Sequence, residues 1–198
     1  IMLAEKENTT KYDLDKITKD TYTDVYDLKK GLLVKTVAEL KTKIDAMKDN
    51  VTGQTFNLTT SVDMGSAFEG TEKGDIYYAF DDGASSTVNN FDTLDGKEGN
   101  DILEIQTGQA ITAATILNLT SIETVNVKSA NTVALDGSNW EGTNTLNVTQ
   151  AAAATLTAAA TTDVNVSGIT INDGDISVKG GKNIVINDTK AGGDITIG

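Results

Sequence analysis

The sequence contains no cysteine, no proline and no histidine, and all sixteen of its basic residues are lysines. Without cysteine the chain has no disulfide framework, no thiolate nucleophile and no zinc site of the usual kind. Without histidine it lacks the commonest general base and metal ligand. Without arginine it lacks a bidentate clamp for phosphate or carboxylate groups. These absences exclude most enzyme mechanisms, and we predict that the chain is not an enzyme.

The formal net charge of −13 is distributed unevenly. Residues 1–50 contain ten lysines and ten acidic residues, whereas residues 51–198 contain six lysines and nineteen acidic residues. The second part should therefore repel nucleic acid and anionic membranes and attract cations. Solubility through net charge is the simpler alternative.

No apolar run reaches the roughly 18–20 residues that are needed to span a bilayer, and no signal peptide is recognisable at the start. We therefore expect no membrane span. Because the chain begins at Ile1 and stops directly after a strand-like segment, we expect both ends to be cuts in a longer protein.

Residues 1–53 are predicted to form a small α-helical segment, either a cap or the end of a preceding helical domain. Between residues 25 and 47, apolar residues recur at steps of three to five, which is typical of one face of a helix. Gly31 is expected to end the first helix. Thr36 and Glu39 have the spacing of a capping box that would begin the second.

Residues 54–198 are predicted to form a right-handed parallel β-solenoid. Beyond Glu123, short alternating segments recur, and two successive steps together usually give a period near 20 residues. Such a period with two short strands is typical of a solenoid, in which stacked rungs bury a continuous core. The first apolar residues of the segments are Val125, Val133, Leu146, Leu156, Val164, Ile176, Ile184 and Ile195.

Two inner faces follow from this spacing. The first is predicted to contain Val125/Val127, Leu146/Val148, Val164/Val166 and Ile184/Ile186, and the second Leu156, Ile176/Val178 and Ile195/Ile197. Asparagines at strand positions are expected to form side-chain ladders. The alanine-rich tract at residues 150–160 could form a helix by intrinsic propensity, but its place in the period favours a rung with small interior residues.

Asp-Gly pairs mark the expected turns, where a positive φ angle is needed. These pairs are Asp95-Gly96, Asp136-Gly137 and Asp173-Gly174. The acidic turn at residues 172–175 could be a separate weak cation site. Trp140, Tyr77 and Tyr78 could form a platform for sugars, but scattered aromatic residues favour packing in the core or in turns.

A glycine-rich segment from Gly96 to Glu104 matches the calcium-binding nonapeptide G-G-x-G-x-D-x-U-x, in which U is a large apolar residue. The match includes the first glycine, Gly99, Asp101 and the apolar position. Lys97 stands in place of the second glycine. The signal is therefore specific but incomplete.

A weaker copy at residues 70–77 keeps the first glycine, the aspartate and the following apolar residue. Calcium takes six to eight oxygen ligands, which glycine-rich turns can supply from backbone carbonyls and aspartate side chains. Successive copies must stack to complete a site, so we predict calcium binding within residues 70–104; ordinary Asp-Gly turns are the alternative. The predicted ligands are Asp75, Asp95, Asp101 and the carbonyls near Gly96 and Gly99, with Asp81, Asp82, Asp92 and Glu98 as further ligands.

Four blocks of the sequence carry a family resemblance. They are residues 56–63 (FNLTTSVD), 68–71 (FEGT), 94–103 (LDGKEGNDIL) and 119–127 (LTSIETVNV). In this order they resemble bacterial surface-layer (S-layer) proteins of the type I-secreted, RTX-like calcium-binding kind. The resemblance covers about residues 55–198, with Ser61 where the family pattern has glycine.

The resemblance implies a secreted structural protein of the bacterial cell surface that assembles with itself into a calcium-supported two-dimensional lattice. Cell-surface polysaccharide or lipopolysaccharide would be bound by other parts of the parent protein, and nucleic acid is not an expected partner. A calcium-dependent secreted adhesin is the alternative. A β-helical polysaccharide-acting enzyme is disfavoured because arginine is absent and lysines beyond Lys97 are sparse.

Overall fold

The structure is a computed structural model in which the chain divides into two compact units, Ile1–Val51 and Thr52–Gly198. The residues that it describes are 53–81, 83–113, 115–187 and 193–198, together with the backbone of Val25–Asp27 and Leu32–Val34. Among these residues no helix is long and apolar enough to cross a membrane.

The described part of the first unit is an antiparallel strand pair. Strands β1 (Val25–Asp27) and β2 (Leu32–Val34) pair so that Tyr26 lies opposite Leu33. The helix predicted across these positions is therefore wrong, because β-branched and aromatic residues in such short runs favour a pleated strand. Gly31 and the predicted capping box lie outside the described residues.

The second unit is a parallel β-solenoid of about six turns, as predicted, and its first strand begins at Thr55. Its strands are β3 (Thr55–Asn57), β4 (Ile76–Phe80), β5 (Asp92–Asp95), β6 (Ile102–Thr107), β7 (Leu117–Thr120), β8 (Thr124–Ser129), β9 (Val133–Gly137), β10 (Thr145–Gln150), β11 (Ala154–Ala158), β12 (Asp163–Ser167), β13 (Ile176–Gly180), β14 (Ile184–Asn187) and β15 (Ile195–Ile197).

These strands form three parallel sheets along the solenoid. Sheet 1 has the order β14-β12-β10-β8-β6-β4-β3, sheet 2 the order β15-β13-β11-β9, and sheet 3 consists of β5 and β7. Neighbours in a sheet are one turn apart, so Leu146 aligns with Val125 on one side and with Val164 on the other. The predicted stacking of rungs is confirmed.

The core lies between the inner faces of the sheets, where alternate residues of strands such as β8, β10 and β12 are buried. The predicted first inner face belongs to sheet 1 and the predicted second inner face to sheet 2. Ile195 and Ile197 are nevertheless 55% and 57% exposed, because β15 is the edge strand of sheet 2. The alanine-rich tract forms a rung, with Ala154 and Ala158 buried in β11.

Polar residues on the outer face of sheet 1 form the predicted side-chain ladder. The amide of Asn165 donates to Asn147 over 2.9 Å, and the amide of Asn147 donates to Asn126 over 2.7 Å. The amide of Asn126 donates to Glu104 Oε1 over 2.6 Å. Four successive turns are thus held in register by side chains as well as by the backbone.

Two of the three aromatic residues considered as a sugar platform lie in the core. Tyr77 is fully buried and stacks on Phe56 with 4.7 Å between ring centroids, and its hydroxyl donates to the carbonyl of Asp95 over 2.9 Å. Trp140 is 6% exposed, and its indole N–H donates to the carbonyl of Leu117 over 2.8 Å. Core packing is confirmed for these two residues.

Candidate functional site

The candidate site lies where the chain passes from sheet 3 into sheet 1. Residues 70–75, 96–101 and 121–123 form stacked turns on successive rungs, which we call the turn column. The N–H of Gly70 donates to the carbonyl of Asp95 over 2.7 Å, and the N–H of Gly96 donates to the carbonyl of Thr120 over 2.9 Å. The two copies of the nonapeptide are thereby placed directly against each other, as a shared site requires.

An acid ladder runs through the turn column. Its members, Asp75, Asp101 and Glu123, each stand directly before a strand of sheet 1. The N–H of Asp75 donates to Asp101 Oδ1 over 2.6 Å, and the N–H of Asp101 donates to Glu123 Oε2 over 2.7 Å. The N–H of Gln54 donates in the same way to Asp75 Oδ1. Three carboxylates are therefore stacked along the solenoid by the backbone itself.

Asp101 has a carboxylate oxygen that the protein leaves without a partner. The residue is fully buried, and its Oδ2 atom has no hydrogen-bond partner among the described residues. A Cβ atom placed on Gly96 would lie 2.4 Å from this oxygen and 2.0 Å from the carbonyl oxygen of Ser121. Two oxygens thus face the α-carbon of Gly96, and only glycine fits beside them. An unpaired buried carboxylate oxygen is costly unless something satisfies it.

The electrostatics of the turn column disfavour uncompensated negative charge. Burial raises the pKa of Asp101 to about 7, with further contributions from the nearby Glu123, Asp75 and Asp95, while the hydrogen bond from the Asp75 N–H opposes the rise. Burial also raises the pKa of Tyr77, with further contributions from Asp75, Asp101, Asp95 and Glu69. A proton or a cation at Asp101 would relieve this field.

The structure separates Asp95 from the acid ladder. Lys97 Nζ lies 2.7 Å from Asp95 Oδ2. Although partial burial acts in the opposite direction, hydrogen bonds from the Lys97 side chain and backbone lower the pKa of Asp95. Asp95 therefore already has a cationic partner.

The other two predicted ligands of this turn differ in their surroundings. Glu98 is exposed at the surface of the turn, whereas Gly99 has φ of 133° and packs closely against the backbone of Lys73.

Asp92 stands at the opposite end of β5 from the turn column. Its Oδ1 accepts the N–H of Asp63 over 2.9 Å, and its Oδ2 accepts the N–H of Asn89 over 2.7 Å. Burial raises its pKa, while these hydrogen bonds lower it and the neighbouring Asp63 raises it. Because both oxygens are used by the backbone, Asp92 acts as a structural carboxylate in a second, shorter stack.

Asp81 also lies apart from the acid ladder, because it follows β4 whereas the turn column precedes that strand. Its Oδ1 accepts the N–H groups of Gly83 and Gly108, each over 2.9 Å. Its Oδ2 is buried without a hydrogen-bond partner among the described residues. Asp82 lies outside the described residues. The predicted ligands are thus distributed over three places in the solenoid rather than one.

Glycine conformation at the Asp-Gly pairs differs from our expectation. Gly96, Gly137 and Gly174 do not have positive φ angles, whereas Lys97 and Asp173 do, at 69° and 63°. Close approach explains the glycines instead, since a Cβ on Gly137 would lie 2.7 Å from the ring of Trp140. The prediction of positive φ at these glycines is wrong, because close contacts of the α-carbon and not turn geometry require a hydrogen side chain.

Carboxylates alone do not complete a metal centre. Over the described ranges, no group of three or more acidic side chains stands close enough to hold a metal ion. A calcium ion at the turn column would depend on Asp101 Oδ2 together with backbone carbonyls such as that of Ser121. The unpartnered oxygen, the cradle at Gly96 and the all-oxygen donor set are compatible with calcium, which prefers such ligands.

Sequence reasoning missed two members of this arrangement. Glu123 accepts the N–H of Asp101, and the carbonyl of Ser121 faces Gly96. The signal for Glu123 was present, because it precedes its strand just as Asp75 and Asp101 precede theirs. No residue type identifies a backbone carbonyl such as that of Ser121, which only the fold reveals.

Comparison with known proteins does not assign the chain to a family. No family model matches the sequence, and no curated protein matches it. The fold is therefore established by the strand pairing, and any function must be argued from the geometry and charge of the solenoid.

Proposed function

We propose that this chain is a structural segment of a bacterial cell-surface layer, secreted and assembled into a two-dimensional lattice with the support of calcium. The observation that carries the proposal is the buried, unpartnered Oδ2 of Asp101 within a ladder of three carboxylates. Such a ladder is stable only when its charge is neutralised. Calcium is abundant outside cells, and extracellular modules bind it with dissociation constants of about 10⁻⁴–10⁻³ M.

The architecture supports a structural role. A solenoid in which each turn contacts only its neighbours provides a long, regular scaffold whose outer surface can make many contacts. The described surface also includes exposed apolar side chains, among them Phe91 and Ile116, which are 57% and 50% exposed. These two residues are neighbours on adjacent rungs, because the N–H of Phe91 donates to the carbonyl of Ile116 over 2.8 Å. Exposed apolar residues that occur together favour contacts with other molecules.

The test is assembly of the protein followed by negative-stain electron microscopy with millimolar calcium and with a chelator. We expect ordered sheets of the parent protein in calcium and dispersed particles in chelator. The Asp101→Asn variant should assemble poorly even in calcium, whereas Asp173→Asn, in an exposed turn, should assemble like the wild type. Dispersed wild-type particles in both conditions would contradict the lattice role.

A further inference from the structure

Lys97 occupies a position in the turn column where a small residue is expected. Its backbone has φ of 69°, in the left-handed region that glycine adopts freely and other residues adopt at a cost. The nonapeptide pattern has glycine at this position. Because the backbone conformation disfavours lysine at this position, we expect the lysine side chain to have a role there.

The Lys97 side chain lies between two carboxylates of neighbouring rungs. Glu69 and Asp95 are aligned by a parallel β-bridge, so their side chains stand side by side on the surface of the solenoid. Lys97 Nζ lies 2.7 Å from Asp95 Oδ2 and 3.8 Å from Glu69 Oε2. Like charges on adjacent strands repel each other, and the ammonium group lies where a bound cation would relieve that repulsion.

The same turn binds Asp95 a second time. The backbone N–H of Lys97 donates to Asp95 Oδ1 over 3.0 Å, so both oxygens of this carboxylate have donors from one residue. The groove around them, about 620 Å³ in volume, is also lined by Glu72 and Glu98. The groove is rich in carboxylates and contains one lysine, whereas the buried Asp101 has no comparable cationic partner among the described residues.

We propose that Lys97 is a tethered counter-ion that occupies the space between Glu69 and Asp95, cancels about half of their joint charge and thereby excludes divalent cations from these two carboxylates. The turn column then uses two methods of neutralisation. The outer pair has a cationic partner within the chain at any calcium concentration, whereas the inner Asp101 depends on an external cation. This inference refines the proposed calcium binding by removing Asp95 from the ligand set that we predicted from the sequence.

The test compares three chains by thermal unfolding across a calcium titration. Lys97→Gly removes the ammonium group and relaxes the left-handed backbone, so the variant should fold. Lys128→Ala removes an exposed lysine of sheet 1 and is the control for the same change in net charge. At a calcium concentration about tenfold above the dissociation constant of the released pair, Lys97→Gly should gain about 3–6 °C more in melting temperature than either other chain.

A second variant assigns that gain. Adding Asp95→Asn to Lys97→Gly should abolish the additional calcium response, and equilibrium dialysis should show one more calcium ion bound by Lys97→Gly than by the wild type. Equal calcium responses of all three chains would overturn the inference. If Lys97→Gly responds to calcium but the wild type does not, the role of Lys97 is supported and the proposed calcium binding at Asp101 fails. If the wild type responds through Asp101 and Lys97→Gly shows no additional response, the proposed calcium binding is supported and the role of Lys97 fails.

Discussion

At Asp101, burial and the neighbouring carboxylates both disfavour the charged form of the side chain. The side chain is fully buried, yet it is stacked between Asp75 and Glu123, each of which is also an acid. A neutral residue would avoid this conflict, and Asn would preserve the shape of the side chain. The presence of an acid at this position is explained if a cation binds there, because a neutral amide would bind calcium less strongly than a carboxylate.

The first residue-scale prediction concerns pH in the presence of a chelator. The pKa of Asp101 is raised to about 7 in the folded chain but is about 3.9 in an unfolded chain. Between these values the folded chain holds a proton that the unfolded chain has lost, so this contribution to stability is complete below about pH 4 and is lost as the pH rises through 7. The loss is at most about 4 kcal/mol.

Asp101→Asn is the matched variant for this prediction, because it cannot titrate. Urea unfolding at several pH values should show that the wild type loses more free energy of unfolding than the variant between pH 5 and pH 8. Asp92 titrates in both proteins, so its own raised pKa cancels in the difference. Parallel curves for the two proteins would show that Asp101 is not protonated in the folded chain.

At the scale of elements, the solenoid is held by ladders of two kinds. Apolar residues of sheets 1 and 2 stack inside, and Asn126, Asn147 and Asn165 stack outside. Each amide of this outer ladder repeats at the strand spacing, so one side chain supports two neighbouring rungs. The ladder contributes to the register of sheet 1, since a shift by one residue would place the asparagines in the core.

The element-scale prediction concerns Asn147, the central asparagine of the ladder. Asn147→Ala removes the hydrogen bond that Asn147 donates to Asn126 and the one that it accepts from Asn165. This loss should lower the free energy of unfolding by about 1–2 kcal/mol. Asn118→Ala is the control, because among the described residues the amide of this exposed side chain makes one long hydrogen bond, over 3.4 Å to Thr93 Oγ1. Equal destabilisation of the two variants in urea would show that the ladder adds nothing beyond strand propensity.

Much of the solenoid could be predicted from the sequence, because the position of each strand follows from local alternation. The rungs at Val125, Leu146 and Val164 align as their spacing indicated. The antiparallel strands β1 and β2 lie where the spacing predicts a helix, because a spacing of three to five residues over two short runs does not distinguish the two structures. Periodicity was reliable only where it repeated over several turns.

The candidate site was less predictable, because it depends on contacts between rungs. The motif led to Asp75 and Asp101, which the fold brings together. It also pointed to Asp81 and Asp92, which lie at other corners of the solenoid. An acidic composition indicates that the chain attracts cations. It does not indicate which carboxylate lacks a partner, because this depends on the positions of backbone N–H groups and lysine side chains in the fold.

At the scale of the whole molecule, the solenoid is a stack of rungs with an excess of acidic side chains. From residue 51 to the end, nineteen acidic residues face six lysines. Such self-repulsion destabilises a compact chain, and a bound cation would reduce it. We therefore propose that calcium is a part of the folded scaffold and that Asp101 is the carboxylate through which it acts.

The most direct test of this central claim is the thermal unfolding midpoint of the protein at pH 7.5 with calcium and with a chelator. Calcium at about 100 times its dissociation constant should add roughly 2.7 kcal/mol to the stability of the wild type. Asp101→Asn should lose most of that gain, whereas Asp173→Asn should keep it. Identical wild-type midpoints in calcium and in chelator would contradict the account and would mean that the turn column binds no calcium.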